Sequence, residues 1–565
     1  MRSNVKLNQI VFGSFDQSNF AKIVEYANKL QEKVEPYQNY GKPYFKGEPR
    51  MDFYKYLEDK KLNEVPLSLD KVFEDIAFLT QNTPNWANPG TMINVIPPVN
   101  LASLVASCYA QSLNVNFAQD TYAGFFILAE LEVVKYISDL IGWDWTKSAG
   151  IFTFGGKGTN LYATKIALAK CDPASSTRGC KTAKYFMLTS ANAHPCHYEV
   201  CDWLGIGKDS CVEIPCLEDG AIDLEKTEKI IHEELKKGKI FLGCNLNGGS
   251  TNELYIDPIK DVYKLISNVV NQYHLNYRPH IHVDSVIGWV YLFFKKYDYK
   301  TNPLGISGSS LEKIRKLSRL ADDFKYADSM GIDFHKTGFC PYISSLFICK
   351  NREDYYALNP SKYQSIKDLK YGNYNPYQIS LELTRSPAGA VSALASLKSL
   401  GVAGFQQVYA NMIEASERFR KRLSENKNIC VLNQDSGWLA TLFILKPLKF
   451  TSLGLNEILR LDEAEIAEIR NYNVKFAERI QTKAHNSECS FVFTSSRSHL
   501  VPGTSISLGT LKAYPMSVFF DEENAVKILS ELEKEIEAFT KNPNEGPALP
   551  SNAISDDMVY RKGRS

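Results

Sequence analysis

In the stretch DFHKTGFCPY, residues 333 to 342, a lysine follows a histidine and the chain then turns apolar rather than charged. Lys336 is therefore either a solvated surface cation or a partly buried amine with chemistry to do. Three other loops carry groups that complement it. FTFGGKGTNLYATKIAL (152 to 168) reads as a strand, a glycine-rich turn and a helix. Gly155, Gly156 and Gly158 let the backbone close around an anion held by the helix N-terminus, and Lys157 adds charge. The same pattern also suits a plain strand-to-helix turn. His194 lies in the small-residue loop SANAHPCHYEVCDWLGIG (190 to 207), as a structural or a catalytic imidazole. Asp284, in the apolar HIHVDSVIGW (280 to 289), is a carboxylate that must pair with a buried cation or stabilise a bound cofactor. An amine for a Schiff base, a cradle for a phosphate, an acid for a pyridine nitrogen and an aromatic plate for a ring are together what pyridoxal phosphate needs.

The elements around these loops are of one kind. Between 150 and 350, the strand-like runs GIFTFGG, KYFMLTS, CVEIPC, KIFLGCNLNG, HIHVDSV and SSLFICK alternate with helical patterns such as TNLYATKIALAKC and PIKDVYKLISNVVNQYHL. That alternation predicts an α/β domain, a mostly parallel sheet wrapped by helices. Ligands in such sheets lie beyond the carboxyl ends of the strands, where the four loops fall. Upstream, FAKIVEYANKLQEKV has helical apolar spacing, and FFILAELEVVKYISDLIGW (125 to 143) predicts a long buried helix. Downstream, the helix GFQQVYANMIEASERFRKRLSE, the strand-like GWLATLFILK and ECSFVFTSS, and an acid-led helix at 521 to 539 predict a smaller α+β domain. The expected division is an N-terminal helical segment (1–105), a large cofactor-binding domain (106–400), a small C-terminal domain (401–540) and a flexible tail (541–565).

Composition narrows the partners. The 565 residues are 44% hydrophobic and 23% charged, as in ordinary globular proteins. The 65 Lys and Arg against 64 Asp and Glu leave a formal charge of +1, so no global field recruits nucleic acid or an anionic membrane. The opening MRSNVKLNQIVFGSF has no apolar signal core, and no uninterrupted apolar run is long enough to span a bilayer. The twelve cysteines include no CxxC pair, which points to reduced thiols and a cytoplasmic location. Neither they nor the nine histidines fall at metal-ligand spacing, so no metal is expected.

Order and spacing then resemble the group II pyridoxal-phosphate-dependent amino-acid decarboxylases, which include the aromatic-L-amino-acid, tyrosine and glutamate decarboxylases. HVD (282 to 284) followed by ADSMGIDFHK (327 to 336) is similar to the family's HVDAA and ADS-x-x-x-(N/D)-x-HK motifs. SANAH with LGIG (204 to 207) resembles the stacking-histidine loop, GGSTNELYIDPI (248 to 259) the AGTT-x-x-G-x-x-DPI segment, and LNVNFAQDTYAGFFILAELE (113 to 132) the entry helix. The resemblance covers roughly residues 80 to 400. It implies a fold-type I transferase-like architecture with a seven-stranded, mostly parallel sheet and helices on both faces. It also implies a homodimer with a shared active site. Lys336 would form the Schiff base, beside His335 near the phosphate. Asp284 would pair with the pyridinium nitrogen, His194 would stack on the ring, and Thr251 would lie at its edge. Gly156, Lys157 and Gly158 would cradle the phosphate, with Asp333 where the family often has Asn. The reaction implied is loss of carbon dioxide from an L-amino acid through a quinonoid to an amine, with Lys336 a proton shuttle whose pKa is lowered by burial and nearby cations.

Departures accompany the matches. Val286 stands where relatives have Ala, Phe334 where they often have Pro, and Lys157 where they have a small residue. A loop tyrosine protonates the intermediate in the family, and Tyr363 and Tyr371, in DYYALNPSKYQSIKDLKYGNYNPY (354 to 377), are the candidates by spacing. Arg385, in LELTRSPAG, would organise the site or serve as a buried structural arginine. Trp86 and the IPPVN segment (96 to 100) fall where the family lines its substrate pocket and favour an aromatic substrate such as tyrosine. Lys512 would bind a substrate carboxylate or sit on a strand surface. The alternatives are a carbon-carbon lyase of the sphingosine-phosphate-lyase kind and a catalytically degenerate member of the fold.

Overall fold

The computed structural model describes residues 11–12, 19–48, 51–180 and 184–543; the expected tail lies, from 544 on, outside them. In chain order the strands are β1 (Thr91–Met92), β2 (Ala149–Thr153), β3 (Tyr185–Ser190), β4 (Cys211–Ile214), β5 (Ile240–Asn247), β6 (His280–Asp284), β7 (Ser329–Asp333) and β8 (Ser345–Cys349), then β9 (Ile429–Val431), β10 (Thr441–Leu445), β11 (Val492–Leu500) and β12 (Ser507–Ala513). Seven of them form one sheet in the order β2-β8-β7-β6-β5-β3-β4. β4, β3, β5, β6 and β7 are parallel neighbours, and β8 runs antiparallel between β2 and β7. Every residue of β2, β6, β7 and β8 is buried, as expected of strands covered by helices on both faces. The expected α/β, fold-type I architecture is therefore what the chain adopts.

β7 escaped the apolar pattern because its sequence, SMGID, begins and ends polar and carries a glycine. That glycine is required by packing. A Cβ on Gly331 would lie 2.3 Å from Thr159 Oγ1, on the helix Gly156–Cys171 that crosses this face of the sheet. The strand that delivers the lysine is thus pressed directly against the helix that follows the glycine loop.

The smaller sheet has the order β1-β11-β12-β10-β9. β1 comes from the N-terminal segment, which was expected to be helical, and pairs in parallel with β11. Through Thr91 and Met92 the N-terminal segment is therefore tied to the last domain. The helix Ala388–Ser424 links the two sheets and leaves helical geometry at Gly401 (φ 59°, ψ −173°), beside the domain boundary expected at 400. By length and composition this helix could cross a membrane. Its Ala390, Ala393, Phe405, Tyr409 and Ile413 are instead buried in the main core, which also holds Trp289 and Phe334.

Candidate active site

The parallel strands end together, and the chemistry sits at that edge. Lys336 lies in the one-turn helix Phe334–Thr337 immediately after β7. Asp284 is the last residue of β6, Thr251 follows β5, His194 follows β3, and the glycine loop follows β2. Phe334, where relatives often have Pro, anchors the lysine's turn. It is wholly buried, its ring 4.9 Å from that of Trp289 and 5.9 Å from that of Phe152.

Lys336 Nζ is 2.9 Å from Asp333 Oδ2, and Ser345 Oγ donates to Asp333 Oδ1 at 2.5 Å. His335 Nε2 is 3.5 Å from the same carboxylate. Burial alone would lower the lysine's pKa, but the touching Asp333 carboxylate and nearby Asp284 outweigh it and the pKa is raised. This corrects the expectation of a depressed value: the nearest charges are anions, not cations. The same contacts act in reverse on Asp333. Burial pushes its pKa up, yet Lys336, His335 and the Ser345 hydroxyl bring it below the ordinary value.

Asp284 differs. Its Oδ2 accepts a hydrogen bond from Asn160 Nδ2 at 2.9 Å, while Oδ1 is buried with no partner. Burial dominates and raises its pKa. An orphaned carboxylate oxygen at a strand end is the complement of a protonated ring nitrogen. His194 is half-buried, and its Nδ1 accepts from the Cys196 N–H at 3.2 Å. Burial first and the Lys336 charge second depress its pKa to about 4, so the imidazole is a neutral plate at working pH.

Two of the three glycines in the loop are crowded. A Cβ on Gly156 would come 3.0 Å from Asp333 Oδ2 and 3.1 Å from Val286 Cγ1, and one on Gly158 would come 2.7 Å from Thr153 Oγ1. Gly155 has φ 123°, a conformation that suits glycine alone. The helix starting at Gly156 points its free N–H groups out of this loop. Lys157 does not turn inward: its ammonium pairs with Glu199 and lies 4.9 Å from the Trp203 ring. Loop N–H groups, the neutral imidazole, the orphaned Asp284 oxygen and the Lys336 amine fit pyridoxal phosphate.

Other expected residues fall elsewhere. Arg385 is buried, with both terminal nitrogens on Glu130 and further bonds to the Phe117 and Phe152 carbonyls, the structural arrangement of the two foreseen. Tyr363 packs edge-on against Tyr356, and Tyr371 against Phe125, both largely exposed. Trp86 is half-buried in the turn before β1, and Thr251 half-buried after β5. Lys512 is on strand β12 but only 3% exposed, not a surface residue. Four residues at the site were not singled out in the sequence: Asn160 and His197 beside Asp284, Ser345 beside Asp333, and Tyr342, whose ring centre is 4.1 Å from that of His335. Asn160 had a signal, since it sits four residues past Gly156 and so one helical turn into the loop's own helix.

Solved structures share this fold. Mouse CSAD matches with a TM-score of 0.74 at 16% identity, over 91% of this chain and 99% of that one. A rice (Oryza sativa) TDC crystallised with PLP and tryptamine matches at 0.73 and 11% identity, over 93% and 100%. The glutamate decarboxylase domain of a Vibrio parahaemolyticus diaminobutyrate enzyme matches at 0.70 and 16% identity, over 95% and 99%. The sequence pattern of the pyridoxal-dependent decarboxylase conserved domain matches residues 52–446, which span the glycine loop, His194, Asp284 and Lys336. With most of the chain inside that pattern, this protein belongs to the pyridoxal-dependent decarboxylase family.

Proposed function

We propose that this chain removes the α-carboxylate from an L-amino acid with an aromatic side chain, tyrosine being the first candidate, and releases the amine. The observation that carries the choice is the state of the site's cations. Lys157 is spent on Glu199, Arg385 on Glu130 and Lys336 on Asp333, whereas the exposed side chains beside the lysine and glycine loops are Phe154, Tyr342 and Ile343. A side-chain carboxylate would meet no uncommitted member of these three cations, and an aromatic ring would meet apolar surface. The rice neighbour was crystallised with an aromatic amine, tryptamine, which supports the same choice.

Lys336 Nζ would hold the cofactor's aldehyde, and Asp284 Oδ1, buried without a partner, would accept from its pyridine nitrogen. The cofactor, once bound, supplies the electron sink for the pair released when the Cα–carboxylate bond breaks. His194 would cover one face of the ring, exclude water there and, being neutral, add no charge that would oppose a protonated pyridine. The N–H groups of Gly156, Lys157 and Gly158 would hold the phosphate, and the Asp333 carboxylate, with His335 and Lys336 against it, fixes the lysine turn. The Lys336 amine, with the Tyr342 hydroxyl near enough to act on its charge, would be the group that returns a proton to the substrate.

The enzyme works as a homodimer. Leu101, Val105, Tyr122, Phe125 and Leu128 form an exposed apolar run on consecutive elements, and Phe125 touches the Tyr371 loop. A second subunit covering that face would also meet the Tyr371 loop. All twelve cysteines are unpaired, which supports a reducing, cytoplasmic setting. The test is incubation of the holoenzyme with each L-amino acid, scored for carbon dioxide and amine. Turnover confined to aromatic substrates is expected. Preference for an acidic substrate, or aldehyde release from a phosphorylated amino alcohol, would overturn the proposal.

A further inference from the structure

Asp284 is approached by more than the cofactor requires. Asn160 lies on its Oδ2, and the Nε2 of His197 lies 3.7 Å from the same oxygen. His194, Lys336 and Asp333 complete the charged and titratable groups that act on it. His197 is in the first turn of the helix Cys196–Trp203 and is 2% exposed. Its other nitrogen, Nδ1, is 3.2 Å from Asn245 Nδ2, on the adjoining strand β5. An amide NH₂ only donates, so Nδ1 accepts and the ring's single proton sits on Nε2, facing the carboxylate. With the amide turned over, the proton would move to Nδ1, and a bare lone pair would face a buried anion. Burial depresses the imidazole's pKa to about 4, so the ring is a neutral donor.

We infer that His197 is a positioning residue for the cofactor: its Nε2–H, set by Asn245, joins Asn160 in fixing Oδ2 of Asp284, which keeps the carboxylate charged and leaves Oδ1 turned to the pyridine nitrogen. At 3.7 Å the N–H is outside hydrogen-bond length, but an N–H dipole aimed at a carboxylate in a water-poor interior still favours the anion. A metal is the competing use of this cluster, because Cys196, His197 and Asp284 bring ligand atoms within 4.8 Å of one another. The Asn160 amide argues against it. Its Nδ2 bonds both Cys196 Sγ, at 3.4 Å, and Asp284 Oδ2, at 2.9 Å, and so puts a donor where a cation would have to sit. Burial also pushes the Cys196 thiol up to about 12, away from the thiolate a metal needs.

The experiment measures cofactor dissociation and the pH titration of the bound cofactor's visible absorbance in His197→Leu, His197→Gln, Asn245→Leu and Asp284→Asn, with melting of each apoprotein as the folding control. His197→Leu is expected to weaken cofactor binding about 3- to 10-fold, the scale of one N–H dipole acting on a buried charge, and to move the absorbance titration. His197→Gln, which keeps a donor, restores most of both. Asn245→Leu, which leaves His197 in place but frees its tautomer, falls between. Unchanged affinity and titration in both His197→Leu and Asn245→Leu, with Asp284→Asn impaired, would overturn the role of His197 alone. No change in Asp284→Asn would overturn the pyridine contact with it.

Discussion

Asp284 and Asp333 end neighbouring parallel strands at the same edge of the sheet, and both are buried, yet their surroundings push them in opposite directions. Asp333 has Lys336, His335 and Ser345 around it, and its pKa is lowered. Asp284 has the Asn160 amide and, farther off, the His197 ring on one oxygen and nothing on the other, and its pKa is raised by burial. Burial is common to both, so the partners decide the sign. One carboxylate is satisfied by the protein and serves the fold; the other is left unsatisfied for a ligand to complete. The lysine that makes the difference is also the residue proposed to carry the cofactor.

Removing that lysine erases the contrast and should have the largest effect. Lys336→Ala is expected to lower kcat by about 10⁴-fold or more, as loss of a covalent catalytic group does, and to abolish the cofactor's visible absorbance after dialysis. Retention of either would break the assignment. Asp284→Asn comes next. It keeps the shape and removes the charge, and kcat should fall by about 10²- to 10³-fold, the scale of one lost electrostatic contact in a site. The apoprotein, in contrast, should melt at a higher temperature than wild type at neutral pH, because a buried carboxylate with an orphaned oxygen is no longer ionised there. Lower stability of both Asp284→Asn and Asp333→Asn would show that the two positions are alike after all.

The two sites also set opposite pH dependences in the apoprotein. Asp333, with a lowered folded pKa, contributes stability above the unfolded carboxylate value that is lost as pH falls through its folded pKa. Asp284, with a raised folded pKa, contributes stability that is full below the unfolded value and is lost as pH rises through its folded pKa. Apoprotein melting followed from neutral to acid pH should therefore lose its Asp284 component in Asp284→Asn, flattening the curve on its upper side, and its Asp333 component in Asp333→Asn, flattening the acid side. At neutral pH, Asp333→Asn should cost about 2 kcal/mol; the full figure for a broken buried pair is larger, but the Lys336 side chain is 25% exposed and water compensates part of it. Urea melting of the apoprotein measures this.

Much of this edge was legible in the sequence because strand-to-loop transitions are local. Asp284, His194 and the glycines each stand at the end of an apolar run, and the structure puts them, with Lys336, at the strand ends. What was hidden depends on contacts across the chain. β7 was obscured by Gly331, whose reason is the helix pressed on it. β1 was hidden because a two-residue strand has no period, and its partner lies four hundred residues away. The sign of the Lys336 pKa required knowing that Asp333, three residues back, folds onto the amine rather than away from it. Asn160 and His197 were passed over because nothing local shows that both reach Asp284.

Lys157 offers the smallest and most discriminating test of how the phosphate is held. By residue type it was the cation of the glycine loop, and a charged side chain on a phosphate is the simplest use of such a position. In the structure its ammonium is drawn off by Glu199 and Trp203, on the helix Cys196–Trp203, and the phosphate is therefore proposed to lie on the backbone N–H groups. Substituting it should then act on the contact between two helices and not on the cofactor. Lys157→Met is expected to lower stability by about 0.5–1 kcal/mol, the range of a half-exposed ion pair, while cofactor affinity changes less than about threefold. Gly156→Ala, one residue earlier, should do the reverse, because a methyl group there meets Asp333 and Val286 and closes the cradle. If Lys157→Met instead releases the cofactor and Gly156→Ala does not, the phosphate is held by the side chain, and the loop's glycines serve only the turn.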